Sequence, residues 1–259
     1  MTAAQEAHHS DEAGPSAGPS AGREPWEAHA RWWQDEFTAG VDPEYTEQIL
    51  PMVRAAMPAG GVVVDVGCGE GQVARELAEG RTVVGIDPAW AQVSVGAERG
   101  GGPGYVQGGA AAIPVRDASV DGAVASLVFE HIPELDTALG EVARVLRPGG
   151  TFLLLLNHPL LQTPGSGWID DQILDPPEQY WRIGPYLPEA DTLEQVERGV
   201  FIRFFHRPLS RYLNAARSAG LVLEEMQEPA PPPGFLARAQ EYEDAATIPR
   251  LLFLRFSRS

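Results

Sequence analysis

An α/β fold, a mostly parallel sheet with helices on both faces, is predicted by three features of the 259-residue sequence. Val62-Val63-Val64-Asp65-Val66 is a continuous β-branched run, the pattern of a strand buried on both faces of a parallel sheet. Further apolar runs alternate with segments of helical period, as βαβ units with right-handed crossovers do. The composition, 44% hydrophobic and 21% charged, supplies a core for one domain of this size and excludes wholesale disorder.

Residues 1–25 are dominated by Ala, Gly, Pro, Ser and acids, with Gly14-Pro15-Ser16-Ala17 followed by Gly18-Pro19-Ser20-Ala21, and are expected to form a disordered tail. The folded domain is expected over residues 26–259. Trp26, Trp32, Trp33 and Phe37, then Tyr45, Ile49, Val53 and Met57 at helical spacing, predict two short helices or one kinked at Pro51. After Val62–Val66 the glycines from Gly67 to Gly71 break the pattern, and Val73, Ala74, Leu77 and Ala78 resume a helical one. Thr82 to Ile86 reads as a second strand, Trp90 to Gly96 as a helix, Tyr105-Val106 as a short third strand and Gly122 to Ser126 as a fourth. Leu135, Ala138, Leu139, Val142 and Leu146 share one helical face, closed by Pro148-Gly149-Gly150. Thr151 to Leu156 is the fifth strand. An irregular insertion, about 159–207, follows, rich in Pro, Gly and aromatics and of a length typical of lids and binding loops. A helix is then bracketed by Pro208 and Gly220, and Leu221–Met226 and Leu251–Phe256 are the last of the strands.

With 19 basic against 36 acidic residues the formal net charge is -17, and every basic residue is Arg. Schiff-base and lysine-base chemistry are excluded. So negative a field opposes approach to nucleic acid or an anionic membrane and favours a small-molecule partner. The single cysteine, Cys68, permits no intramolecular disulfide and no Cys-based zinc cluster, so no metal is expected. The acidic N-terminus lacks a signal-peptide pattern, and no apolar run approaches the roughly 20 residues of a membrane span. A cytoplasmic location is expected.

Val64-Asp65-Val66-Gly67-Cys68-Gly69-Glu70-Gly71 sets a glycine-rich turn between a strand and a helix. Glycine reaches positive φ and lets a ligand lie against the backbone, while the helix N-terminus offers free N–H groups to an anionic group. The dinucleotide fingerprint G-x-G-x-x-G needs glycine where this chain has Gln72, which argues against a nicotinamide or flavin. Asp87 ends the second strand 20 residues after Gly67 and could accept both ribose hydroxyls of a nucleoside. By itself it would serve as well as a helix cap before Pro88.

Together with Gly108-Gly109-Ala110-Ala111-Ala112-Ile113-Pro114-Val115, Asp117-Ala118-Ser119-Val120-Asp121 and Ala143-Arg144-Val145-Leu146-Arg147-Pro148-Gly149-Gly150, these motifs carry a resemblance over about Gly60 to His158. The stretch resembles the class I S-adenosylmethionine-dependent methyltransferases, in the broad group that includes the ubiquinone/menaquinone C-methyltransferases. The resemblance implies a Rossmann-like, seven-stranded, mostly parallel sheet whose last strand runs antiparallel, with a cap after strand five. It implies S-adenosyl-L-methionine as cofactor, with Gly67, Cys68, Gly69 and Gly71 running under its methionine part and Asp65 near its amino group. Asp87 would take the ribose hydroxyls, Ile86 and Ala110 would sandwich the adenine, and Ser126 and Leu127 would border the methionine end. The family often has an acid at the position of Gly109; its absence leaves the adenine amino group to backbone atoms or another side chain.

Methyl transfer from a sulfonium is a direct substitution, so alignment dominates, and a hydroxyl or acidic carbon also needs a base. His131 and His158, just beyond strands four and five, are candidate bases because those strands end on the ligand edge of such a sheet. A structural role in a loop is the alternative for each. His206 is a third candidate, in a segment that helps cover substrate in similar enzymes; capping and packing are its alternative. Trp32, Trp33 and Phe37 would either pack in the core or shield the sulfonium by cation–π contact. The expected reaction is O- or N-methylation of a small, partly apolar acceptor. The insertion would wall it with Trp168, Tyr180, Trp181 and Tyr186, and Asp170, Asp171 or Arg182 would make polar contacts. Quinone-type C-methylation and non-catalytic S-adenosylmethionine binding are the alternatives.

Overall fold

Runs of Val, Ile and Leu that are apolar at every position build the centre of the molecule, because only a sheet covered on both faces can bury consecutive side chains. The structure is a computed structural model that describes residues 23–239 and 244–259. The expected tail, 1–25, lies outside the described residues except for Arg23–Pro25, which open the first helix.

The helix α1 (Arg23–Phe37) precedes a wide helical turn at Tyr45–Ile49 that runs without a break into α2 (Leu50–Ala56), with Pro51 as the second residue of α2. The strands β1 (Val62–Val66), β2 (Thr82–Asp87) and β3 (Gly104–Gln107) are joined by α3 (Gln72–Leu77) and α4 (Trp90–Arg99). Next come β4 (Val120–Ser126), α5 (Leu135–Val145) and β5 (Leu146–Asn157).

The stretch expected to be irregular contains two hairpins, β6 (Gly167–Asp171) with β7 (Glu178–Arg182) and β8 (Ala190–Glu197) with β9 (Val200–His206). After α6 (Leu209–Ser218) and β10 (Leu221–Gln227), a short helix α7 (Pro233–Leu236) leads to β11 (Leu251–Arg258).

The main sheet has seven strands in the order β10-β11-β5-β4-β1-β2-β3. It is parallel from β3 to β5, with Val64 opposite both Val84 and Ala123, and β11 is inserted antiparallel between β5 and β10. Strand alternation sends Val64, Val66, Leu154 and Leu156 into the core under α5 and α6, and Val63, Val124, Leu153 and Leu155 into the core under α2 and α3. The chain moves outward from β1 in both directions, to β2 on one side and β4 on the other. The crevice at the carboxyl ends of these strands is therefore the topological switch point where α/β sheets bind ligands.

Candidate functional site

The glycine turn is fastened to the end of β2. The N–H groups of Gly67 and Cys68 both donate to the Ile86 carbonyl, at 2.7 and 3.0 Å, and Gly69 N–H donates to Asp87 Oδ2 at 2.9 Å. The other Asp87 oxygen accepts from Ala89 N–H at 2.8 Å. This bend needs positive φ at Gly67, Gly69 and Gly71, conformations an L side chain resists. A Cβ at Gly67 would also lie 2.6 Å from Val128 Cγ2. Gly67→Ala is therefore expected to destabilise the fold by about 2–4 kcal/mol, from backbone strain and overpacking together. Urea unfolding measures the loss, and adding Val128→Ala should restore only the packing part.

Above the turn lies a cavity of about 460 Å³. Its walls contain Asp65, Gly67, Cys68, Gly69, Asp87, Gly109, Ala110, Ser126 and Leu127 among the expected cofactor residues, and His131 among the candidate bases. Gly71 and Ile86 are not on its wall. Gly71 lies at the N-cap of α3, where a Cβ would come within 2.6 Å of Tyr105 Cζ. Ile86 is buried with Val64 and Ile113 in the core under α5, because strand alternation turns its side chain there while its carbonyl faces the turn.

Trp26 and Trp33 of α1, together with Tyr45, complete the wall, and no described residue of the insertion lines it. Trp168 and Trp181 instead pair across β6 and β7 and border a separate cavity with Phe235 and Arg250. The pocket also draws on Gln92, Ile132, Pro133 and Glu134, which lie in no sequence motif. Gln92 was detectable only as a polar residue on the buried side of α4, where its Oε1 accepts from Gln34 Nε2 at 2.9 Å.

These walls fit S-adenosyl-L-methionine. Asp65 Oδ2 is buried without a hydrogen-bond partner, as a polar atom awaiting a ligand would be. Burial and the neighbouring Asp87 charge raise the Asp65 carboxyl to about 7, so an ammonium placed beside it would favour the carboxylate form. Burial raises Asp87 to about 6 against the pull of the Ala89 and Gly69 N–H donors. Beside Gly109 a Cβ would meet nothing within 4 Å, so the missing acid leaves open space.

The shift at Asp65 has a stability consequence in the cofactor-free protein. The folded state keeps a proton that the unfolded chain releases near 3.8, so the contribution is complete below that pH and lost as pH rises through about 7. Asp65→Asn should match the wild type near pH 4 and exceed it by on the order of 2 kcal/mol at pH 8 in urea unfolding, while binding S-adenosylmethionine more weakly.

The three histidines separate. His131 ends a single 3₁₀ turn, Phe129–His131, beyond β4. Its Nδ1–H donates to the Arg203 carbonyl of β9 at 2.8 Å, and its ring lies edge-on to Trp26 at 4.9 Å and against Phe204 at 4.6 Å. Burial lowers its pKa to about 4, so the ring is neutral near pH 7 with Nε2 as the acceptor. His158 donates from Nε2 to Glu228 Oε1 at 2.8 Å and accepts from Leu160 N–H at Nδ1. His206 donates from Nε2 to the Tyr186 carbonyl at 2.8 Å. Neither of these two lines the cavity.

The aromatic residues of α1 divide similarly. Trp33 stacks on Phe37 at 4.5 Å while lining the cavity, and Trp26 and Trp32 pack on Val200, Ile202 and Phe204 of β9. Trp32 also donates to Glu197 Oε2 at 2.5 Å.

Comparison with known proteins bears on this geometry. A family model described as a methyltransferase domain matches residues 64–154. The chain is 41% identical over 106 residues to the ubiquinone/menaquinone biosynthesis C-methyltransferase UbiE of Rubrivivax gelatinosus, covering 40% of this chain and 42% of that protein. It is 33% identical over 135 residues to the malonyl-[acyl-carrier protein] O-methyltransferase of Serratia marcescens, covering 51% and 52%. The chain thus spans about half the length of the curated relatives it matches. An S-adenosylmethionine-dependent methyltransferase from Mesorhizobium loti superposes with a TM-score of 0.70 at 25% identity, over 80% of this chain and 96% of that one.

Proposed function

From the premise that residues 64–154 form a class I S-adenosylmethionine-dependent methyltransferase domain, we propose that the chain methylates a small, partly apolar molecule at oxygen or nitrogen. One observation carries the reading: a single cavity joins Asp65, the glycine turn and Asp87 to an apolar end formed by Trp26, Leu127, Ile132 and the neutral His131. The first group suits a charged nucleoside and the second an uncharged acceptor.

When bound, S-adenosyl-L-methionine supplies a methyl group activated on a sulfonium. Asp65 would pair with its ammonium, Asp87 would accept from the ribose hydroxyls, and Gly109 to Ala112 would flank the adenine. Trp33 and Tyr45 exclude water. His131 Nε2 receives the proton of the acceptor hydroxyl or amine. A base held near pKa 4 is weak, so it takes the proton of a hydroxyl or an aromatic amine only as the bond to the methyl group forms and the heteroatom becomes acidic.

C-methylation of a quinone-type ring is the second reading, favoured by the 41% identity to the C-methyltransferase relative. Calorimetry with S-adenosylmethionine, then S-adenosylhomocysteine release with phenols, amines, carboxylic acids and hydroquinones, tests both. Micromolar binding and release with a phenol or amine is the expected result. Product methylated at ring carbon establishes the second reading, and binding without release from any acceptor leaves a non-catalytic binding protein.

A further inference from the structure

We propose that the acceptor end of the cavity selects by charge: it takes a flat aromatic molecule without an anionic group and rejects the same molecule bearing a carboxylate or phosphate. The proposal rests on the methyltransferase reading of the same cavity and adds the substrate class.

Among the described residues that line the cavity none is Arg, while Asp65, Glu70, Asp87 and Glu134 are all acids. The cations around the acceptor wall are committed elsewhere. Arg207, 4% exposed, donates to the carbonyls of Phe129, Ile132 and Pro133 at 3.0, 2.7 and 3.0 Å, holding the wall from behind. Arg203 makes a two-pronged pair with Asp191 across β8 and β9, and Arg211 makes one with Asp136. His131, neutral near pH 7, adds no positive charge.

An anion entering here would lose its hydration without gaining a charged partner, and would do so beside the Glu134 carboxylate, Glu70 being paired with Arg75 and Arg99. A flat neutral ring meets the opposite conditions. Trp26 stands nearly perpendicular to both His131 and Trp33, at 75° and 86°, so aromatic faces and edges are offered together. A single hydroxyl or amine N–H on such a ring can be answered by His131 Nε2.

The test is binding of 2-naphthol and of 6-hydroxy-2-naphthoate to the full chain at pH 7.5, with and without saturating S-adenosylhomocysteine, followed by tryptophan fluorescence. The naphthoate should bind at least tenfold more weakly than 2-naphthol, and Glu134→Gln should narrow that gap. Trp26→Ala should weaken 2-naphthol at least fivefold. Equal or tighter binding of the naphthoate, no binding of 2-naphthol, or 2-naphthol affinity unaltered in Trp26→Ala overturns the proposal. A parallel S-adenosylmethionine titration keeps the two readings apart: its failure removes the methyltransferase reading, whereas cofactor binding without discrimination between the naphthalenes removes only this one.

Discussion

Replacing His131 with alanine is expected to lower turnover about 10²–10⁴-fold while S-adenosylmethionine affinity stays within about twofold. The expectation follows from placement, since His131 is the one of the three candidate histidines that lines the cavity. Its Nδ1–H is committed to the Arg203 carbonyl, which leaves Nε2 for the acceptor. The pH profile separates a base from a packing residue. With burial lowering its pKa to about 4, His131 is deprotonated above that value, so wild-type kcat should rise through about pH 4 and stay flat across pH 6–7. A descent in activity below pH 6.5 would show a histidine of ordinary acidity at work and would remove this assignment. Because the ring also packs against Trp26 and Phe204, melting temperature is measured alongside. A lower Tm with unaltered kcat marks a structural role, and His131→Asn, which keeps an N–H donor, should then restore the Tm.

Asp87→Ala is expected to weaken S-adenosylmethionine by about 1.5–3 kcal/mol, roughly 10- to 150-fold in Kd, the range for a charge-assisted hydrogen bond. Part of the loss is indirect. Asp87 also accepts from Gly69 and Ala89, so its removal leaves those two N–H groups unpaired and loosens the glycine turn, which the bonds of Gly67 and Cys68 to Ile86 still hold to β2. Calorimetry against pH isolates the direct part. In the cofactor-free protein burial raises this carboxyl to about 6 and that of Asp65 to about 7, so wild-type affinity should climb as pH rises through both, and the mutant should lack the lower climb. Unchanged affinity in the mutant would mean that the ribose is held elsewhere.

Much of the glycine-turn side of the candidate cavity was legible in the chain because its geometry is local. The turn from Gly67 to Gly71 needs positive φ at three nearby positions, and only glycine supplies that without strain. Asp87 was legible because a strand of known length carries it to the same edge as that turn. Ile86 beside it was misplaced: strand alternation directs its side chain into the core under α5, so only its carbonyl reaches the turn. The strand order was anticipated in outline, since uninterrupted apolar runs such as Leu153–Leu156 fit only a sheet covered on both faces.

The side of the cavity lined by His131 and Trp26 was decided by tertiary structure. His131 and His158 follow strands and His206 ends one, and nothing in their local sequence separates them. His131 comes to line the cavity beneath α1 with its Nδ1–H held by a carbonyl 72 residues away, and His158 is turned to Glu228, 70 residues away. The hairpins were invisible to period counting because β7 alternates only between exposed and partly buried residues, while β9, though buried on one face, also carries the apolar Phe201 and Phe205 on the other. Trp168 and Trp181, expected to wall the acceptor, pair with each other, while Trp26 from the other end of the chain takes a place on that wall. Sequence alone determined the residues whose role depends on backbone conformation a few positions long. Side chains whose role depends on which distant element packs over them acquired it only when β9 and α1 met above the sheet, because burial and hydrogen-bond partners are properties of that packing.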